Sequence, residues 1–513
     1  MLALLLTAAL AVVPPESGEF PRLIRVEDPD FPGAVARTDT ASLLTEPPPP
    51  GTPWSWEPDV RADGWPSYLT FDAVNAEAWH DAGFRGQGVK AAVFDLHYFG
   101  ATLDDDVLGP VETWDCYAHA SCELAFDAEK PQYGFEEGDH GFACAEIVHE
   151  LAPEAELNLV RVNGLTTLQS AANWAIRHDI DVISMSLSFF NSSMYDGTGP
   201  FADVVKQLVA NDVLLVTSAG NSARQHWEGD WRDSDNDGRM DFDGDNGLLL
   251  DVNASVSVYV NWNEYGRCGD SDLAATLYDA EGFIVGKSDA TQSREKDQCS
   301  PVERISGSSD LGEPLRLEVR ANRVVTAGLH LHIFAQSGAI IGTMPQGSIV
   351  DPGNHAGAFT VGAVRADGYL TNDVESFSSQ GSAFNRALKP DIAGPDGLDA
   401  TVYGAEGFYG TSAATPAVAG TVALLMSSQP GMTSREAADR LSAWALRDGN
   451  TRLHDDALGA GKVRLPTLEH GLAGCGRGPL VAFLPLLSLG WRRRRRDGPS
   501  WPVLPREQSP PAG

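Results

Sequence analysis

Positive charge is scarce in this sequence: 37 Lys and Arg stand against 71 Asp and Glu in 513 residues, a formal net charge of −34. That deficit excludes nucleic acid as a partner, because phosphate recognition needs clustered Lys and Arg. It suits a soluble extracellular protein and favours bound cations. Long apolar runs are missing as well. Leu480 to Trp491 is too short and too interrupted by proline to be read as a membrane span. Leu2 to Val13 is shorter than a span and ends at Pro14-Pro15, so it reads as the h-region of a secretory signal, without the usual basic n-region. Cysteine is sparse, with six residues. Cys116 with Cys122 is spaced to close a small loop, and Cys268 with Cys299 to staple a hairpin, which suits an oxidising compartment. Cys144, in a small-residue helical stretch, reads as a buried free thiol. The pairings stay open at this point.

What is present is ordinary globular sequence, 42% hydrophobic and 21% charged, in a chain longer than one core usually supports. Residues 14–60, with Pro47 to Pro50, read as a linker or pro-region after a signal over 1–13. Helical spacing begins at Phe71, Val74 and Ala78. From 61 to 223, short apolar strands such as Val89–Phe94, Ala155–Val162, Val182–Leu187 and Val213–Thr217 alternate with helical stretches. Such alternation predicts an α/β fold, a mostly parallel sheet with helices on both faces, and functional groups beyond the carboxyl ends of its strands. Residues 224–346 break the pattern. Val256–Val260, Leu315–Val319 and Leu329–Ile333 alternate with period two, which predicts an inserted antiparallel β-sandwich. The α/β pattern resumes over 347–466 with helices at Ser412–Met426 and Ser434–Trp444.

Three polar residues stand where apolar segments turn. Asp95 ends a strand, His140 opens a helix after the acidic loop Glu136–Asp139, and Ser412 leads a long apolar helix from Gly410-Thr411-Ser412-Ala413. Serine becomes a nucleophile when a base takes its proton, histidine is that base near neutral pH, and a carboxylate fixes the histidine tautomer. Asn221 follows another strand, where its side-chain amide can donate to an oxyanion.

Gly86-Gln87-Gly88-Val89 leading to Asp95, His140-Gly141, Ala219-Gly220-Asn221 and Gly410-Thr411-Ser412-Ala413 resemble the four signature blocks of the subtilisin-like serine peptidases, the subtilase family, in that family's order. Phe377–Gly381 and Lys389-Pro390-Asp391-Ile392 are similar to further landmarks of the family. The resemblance implies a subtilisin-like fold and a serine endopeptidase acting on proteins or peptides as a monomer. It implies Asp95, His140 and Ser412 as catalytic residues with Asn221 in the oxyanion hole. Ser186, Leu187 and Ser188 would line the substrate channel, with Ala219 and Gly220 on the facing wall. The sequence departs from the family where Leu96 and His97 follow the aspartate, where Phe142 follows His140-Gly141, and where Ser188 stands in place of glycine. These departures keep open a second reading, a catalytically inactive binding protein on the same fold.

Asp233, Asp235, Asp237, Gly238 and Asp241 match the first nine positions of a calcium loop. Gly244 occupies the twelfth, and the flanking Asp243 and Asp245 are candidates to replace the missing glutamate. A structural Ca2+ at the junction of the catalytic unit and the insert is expected. Over 467–496, Gly474-Cys475, the apolar run and Arg492–Arg496 resemble the C-terminal sorting tags of myxobacterial surface proteins, with a further tail over 497–513. That resemblance implies processing and lipid attachment at Cys475, membrane association only through the tag, and a secreted or outer-membrane location.

Overall fold

A computed structural model describes residues 68–96, 98, 105–109, 111–116, 122–124, 140–265, 271–292, 301–309, 312–323, 325–381, 387–447 and 454–468. It also gives the backbone of three short strands, β1 (Arg22–Val26), β2 (Val35–Thr38) and β3 (Trp54–Trp56), which pair antiparallel within the predicted pro-region. The secretory segment Leu2–Val13, His97, Cys268, Cys299 and everything from Cys475 onward lie outside the described residues.

The helical spacing around Phe71 resolves into two short helices, α1 (Tyr68–Val74) and α2 (Glu77–Asp81). Asn75 separates them in the left-handed region, at φ 62°. Its side chain donates to the Leu465 carbonyl at 2.9 Å, so a partner 390 residues away overrides local periodicity.

The main sheet contains β4 (Lys90–Asp95), β5 (Glu112–Asp115), β6 (Glu123–Leu124), β7 (Glu156–Arg161), β8 (Val182–Met185), β9 (Leu214–Ser218), β17 (Phe359–Arg365) and β18 (Ile392–Asp396). Its spatial order is β18-β17-β9-β8-β4-β7-β5-β6, parallel throughout except for β6. Strands β8, β9 and β18 are buried along their whole length. That is why they read as continuous apolar runs. Helices α3 (Asp105–Leu108), α4 (His140–Leu151), α5 (Leu165–Arg177), α6 (Pro200–Ala210), α7 (Thr411–Ser427) and α8 (Ser434–Trp444) complete this unit. Helix α7 runs against α4 at Gly420, where a Cβ would lie 2.9 Å from that of Leu151. Helix α8 starts at a capping box, Thr433 Oγ1 accepting from the Glu436 amide while the Glu436 side chain accepts from the Thr433 amide. Beyond β4 the chain places β5, β6 and then β7 on one side of it, β7 returning to lie beside β4, and crosses to the other side for β8 and β9. The order therefore reverses between β4 and β8, and an open α/β sheet has its natural crevice there.

The insert is a second, antiparallel sheet of β10 (His226–Asp230), β11 (Leu248–Trp262), β12 (Leu273–Tyr278), β13 (Ile284–Ser288), β14 (Val302–Ser308), β15 (Leu315–Ala321) and β16 (His330–Ile340). It is ordered β10-β16-β11-β15-β12-β13, and β14 also pairs with β11. The first half of β11 pairs with β15 and the second half with β14, with a register shift between Val252 and Ser257 against β16. Such an irregularity bends the strand and increases its twist. At Gly286 of β13 a Cβ would lie 2.4 Å from the Ser306 carbonyl of β14, so the two strands touch there. Trp262, Leu250, Val258, Leu273, Leu317 and Ile333 fill the core between. The short hairpin β19 (Leu398–Ala400) and β20 (Gly404–Phe408) leads into α7.

Cys116 and Cys122 form a disulfide, and Cys144 is a buried free thiol, as the sequence suggested. Among the described residues no helix is long and apolar enough to cross a membrane.

Candidate active site

Three neighbouring strands deliver the predicted residues to one place. Asp95 is the last residue of β4, Ser186–Ser188 follow β8, and Ala219-Gly220-Asn221 follow β9. All three groups stand at carboxyl ends beside the topological reversal. Helix α4 brings in His140 as its first residue, and α7 brings in Ser412 in its first turn.

Asp95 is 1% exposed, and its Oδ2 lies 2.8 Å from His140 Nδ1. Its Oδ1 accepts the Leu96 amide at 2.8 Å. A buried carboxylate is stable when its lone pairs are occupied in this way. The bond fixes the His140 tautomer with its proton on Nδ1 and leaves Nε2 as the basic atom. Burial lowers the imidazole pKa, but the charge of Asp95 and its hydrogen bond more than offset that, so His140 stands above its ordinary value. The departure Phe142 is 1% exposed and is absorbed into the core.

Ser412 is the only residue of α7 that is not buried. Pro416 sits four residues later inside the helix and has no N–H to give to the Ser412 carbonyl. Two side chains fill that vacancy: Ser186 Oγ donates to the carbonyl at 2.9 Å, and the Cys144 thiol approaches it at 3.6 Å. Cys144 lies one turn beyond His140 on α4, and a carboxylate oxygen of Asp95, a His140 nitrogen and the Cys144 sulfur lie within 4.8 Å of one another. The serine backbone is thereby docked against the Asp95–His140 pair.

Asn221 is exposed, and its Oδ1 accepts from the Thr411 amide at 3.0 Å and from Thr411 Oγ1 at 2.9 Å. Because an amide N–H can only donate, these bonds orient the side chain with Nδ2 on the opposite side. Gly410, at φ 98°, has no room for a Cβ, which would lie 2.9 Å from Asn221 Nδ2. Gly410 N in turn donates to Asp396 Oδ2 at 3.0 Å. Burial raises the Asp396 carboxyl to about 7.

The expected channel residues divide. Ser188 faces Gly220 across a gap: a Cβ on the glycine would stand 3.4 Å from Ser188 Oγ and 3.3 Å from Ser379 Oγ. Ser186 is committed to Ser412, while Leu187 belongs to the buried core on that side of the sheet. Ala219 is 1% exposed and donates to the Val361 carbonyl at 2.9 Å. Thr411 and Ser379 stand in quoted motifs with no role assigned to them, and Asp396 in none, since only the folded chain joins these residues to Asn221, Gly220 and Gly410.

Of the aspartates in the acidic loop, Asp233, Asp235 and Asp237 converge within 4.8 Å. Asp233 accepts the Asp237 and Gly238 amides, and Gly238 turns at φ 82°. Asp241 accepts the Ser234 amide. Asp237 also binds Arg239 and Asn246, and Asp245 binds Arg316, while Asp243 is exposed.

The Subtilase family (Peptidase S8) matches residues 127–461. The chain belongs to the subtilase family. The match takes in His140, Asn221 and Ser412 but begins after Asp95, whose place in the site rests on the contact with His140. Subtilisin amylosacchariticus from Bacillus subtilis subsp. amylosacchariticus is 32% identical over 143 residues, 28% of this chain and 35% of that protein. The minor extracellular protease Vpr of Bacillus subtilis is 24% identical over 435 residues, 76% of this chain and 52% of Vpr. The subtilase chain thus spans about a third of the first of these relatives and half of the second. Among solved structures, the Clostridium perfringens CspB protease is similar in fold, with a TM-score of 0.53 and 16% identity, covering 78% of this chain and 97% of that one.

Proposed function

We propose that the protein is a serine endopeptidase that hydrolyses peptide bonds through Asp95, His140 and Ser412. The observation that carries this reading is the buried Asp95 carboxylate 2.8 Å from His140 Nδ1 at the sheet's reversal point, with Ser412 opening α7 beside it. In this mechanism the Ser412 hydroxyl attacks the scissile carbonyl and passes its proton to His140 Nε2. Asp95 stabilises the imidazolium, and Asn221 Nδ2 with the positive end of α7 stabilises the oxyanion. His140 then protonates the leaving amine, and water repeats the sequence to release the acid. Ser188 opposite Gly220 would narrow the pocket for the substrate side chain before the cut. An inactive binding protein gains no support from Leu96 or Phe142, because the Leu96 amide serves Asp95 and the Phe142 side chain is buried.

The test is fluorophosphonate labelling of the purified mature protein beside Ser412→Ala. Labelling that vanishes in the variant is the expected result. A folded sample that never labels overturns the assignment.

Export is favoured by the Cys116–Cys122 disulfide and the apolar segment Leu2–Val13. A structural Ca2+ held by Asp233, Asp235 and Asp237, assisted by Asp241, suits the turn at Gly238. Asp245 belongs to Arg316 instead. The loop is bonded to β15, Met240 N to Val319 O and Ala321 N to Gly238 O, so the ion would brace the insert itself. Surface attachment through Cys475 rests on the Gly-Cys, apolar and arginine pattern of residues 474–496.

A further inference from the structure

We propose that Glu228, His330 and His332, on paired strands at the root of the insert, form a binding site for a divalent transition metal of the zinc class. Antiparallel pairing of β10 with β16 sets Glu228 opposite His332 and Asp230 opposite His330. With period two along each strand, these side chains share one face with His226.

The hydrogen bonds decide which nitrogens carry protons. His226 Nδ1 lies 2.8 Å from the Met344 carbonyl, which can only accept, so this nitrogen donates. The neutral ring then offers a lone pair at Nε2, which accepts from His332 Nδ1 at 3.0 Å. His332 Nε2 is consequently a bare lone pair. The residue is wholly buried, and this atom has no hydrogen-bond partner. It faces Glu228 Oε2 at 3.5 Å. Two acceptors pointed at each other in a buried site repel unless a cation stands between them.

Glu228 stands from each ring at a spacing nearer that of shared metal ligands than that of a hydrogen bond. Two ligands about 2.0–2.1 Å from one tetrahedral ion are separated by roughly 3.4 Å. Glu228 Oε2 lies 3.5 Å from His332 Nε2 and 3.9 Å from His330 Nε2. The outer contacts also follow the pattern of metal-bound histidines. His330 Nδ1 pairs with Asp230 Oδ1 at 2.8 Å, and His332 is oriented through His226. Gly347 leaves the space Glu228 occupies, since a Cβ there would be 2.7 Å from Oε2. Two imidazoles and one carboxylate select zinc-class ions over calcium or magnesium. The side chains of Glu228 and His330 are 24% and 15% exposed, giving the ion a way in.

The site is separate from the aspartate loop, so titration is done on the untagged full chain with calcium in excess, using Zn2+ by calorimetry and Co2+ by visible absorption. One equivalent of Zn2+ should bind, and Co2+ should give the bands of a four-coordinate site. Glu228→Gln, which keeps shape and loses charge, should weaken Zn2+ binding by more than about 100-fold, and Asp230→Asn by about 10-fold. Absence of Zn2+ binding by the wild-type chain, or unchanged affinity in both variants, overturns the proposal.

Discussion

The two sheets of this molecule obey different rules, and each displays its chemistry accordingly. In the parallel sheet the strands are buried on both faces, so no side chain along β8 or β9 is available for work. Function is confined to the strand ends, where Asp95, Ser188 and Asn221 emerge. In the antiparallel insert the strands alternate, as in β15, where Leu315, Leu317 and Val319 are buried between half-buried neighbours. Polar groups there gather on a face, by cross-strand register, as Glu228 and His332 do. One architecture makes a site from ends, the other from pairs.

This contrast can be broken from either side. The largest effect is expected at Asp95→Asn, which leaves the strand intact and gives His140 the wrong tautomer. The rate of fluorophosphonate labelling should fall about 10⁴-fold. In the wild-type protein the acid limb of that rate should lie above the ordinary histidine value, because Asp95 raises His140. A fall of less than tenfold would remove Asp95 from the mechanism.

Next comes Leu317→Ala, in the core of the insert. It should cost about 2–5 kcal/mol of stability by cavity formation. If the two sheets divide their work as described, the labelling rate of the folded variant stays within about twofold of wild type. A parallel loss of rate, at a temperature where the protein remains folded, would show that the insert shapes the site.

The smallest effect concerns Asp396. Its raised carboxyl favours the folded state while protonated, so that contribution is complete at low pH and is lost as pH rises through about 7. Between pH 6 and pH 8 the loss amounts to about 1.4 kcal/mol. Asp396→Asn should abolish this part of the pH dependence in denaturant titrations. An unchanged difference between the two pH values would place the titration elsewhere.

The strand ends were legible in the sequence because an apolar run that stops at Asp95 or Asn221 marks a boundary without knowledge of the partner strand. Helix α8 was legible over Ser434–Trp444 from its apolar spacing, and Thr433 with Glu436 caps its start. What could not be read depends on distant partners. Asn75 breaks a helix because Leu465 waits for its side chain. Ser186 looked like a channel residue, yet Pro416 strips a donor from Ser412 and Ser186 supplies it, 226 positions away. The alternation of His330 and His332 was visible, but only the pairing of β10 with β16 brings Glu228 to them.

The bond between Asn221 and Thr411 joins residues 190 positions apart, with the whole insert between them. During synthesis, Asp95, His140 and Asn221 leave the ribosome long before Ser412, and the seven strands of the insert emerge in the interval. Domains fold as units while the chain is still growing. A nascent chain therefore carries base and oxyanion donor without a nucleophile until the whole insert has been made. The order of the sequence itself withholds the proposed nucleophile until both sheets have been synthesised up to β18.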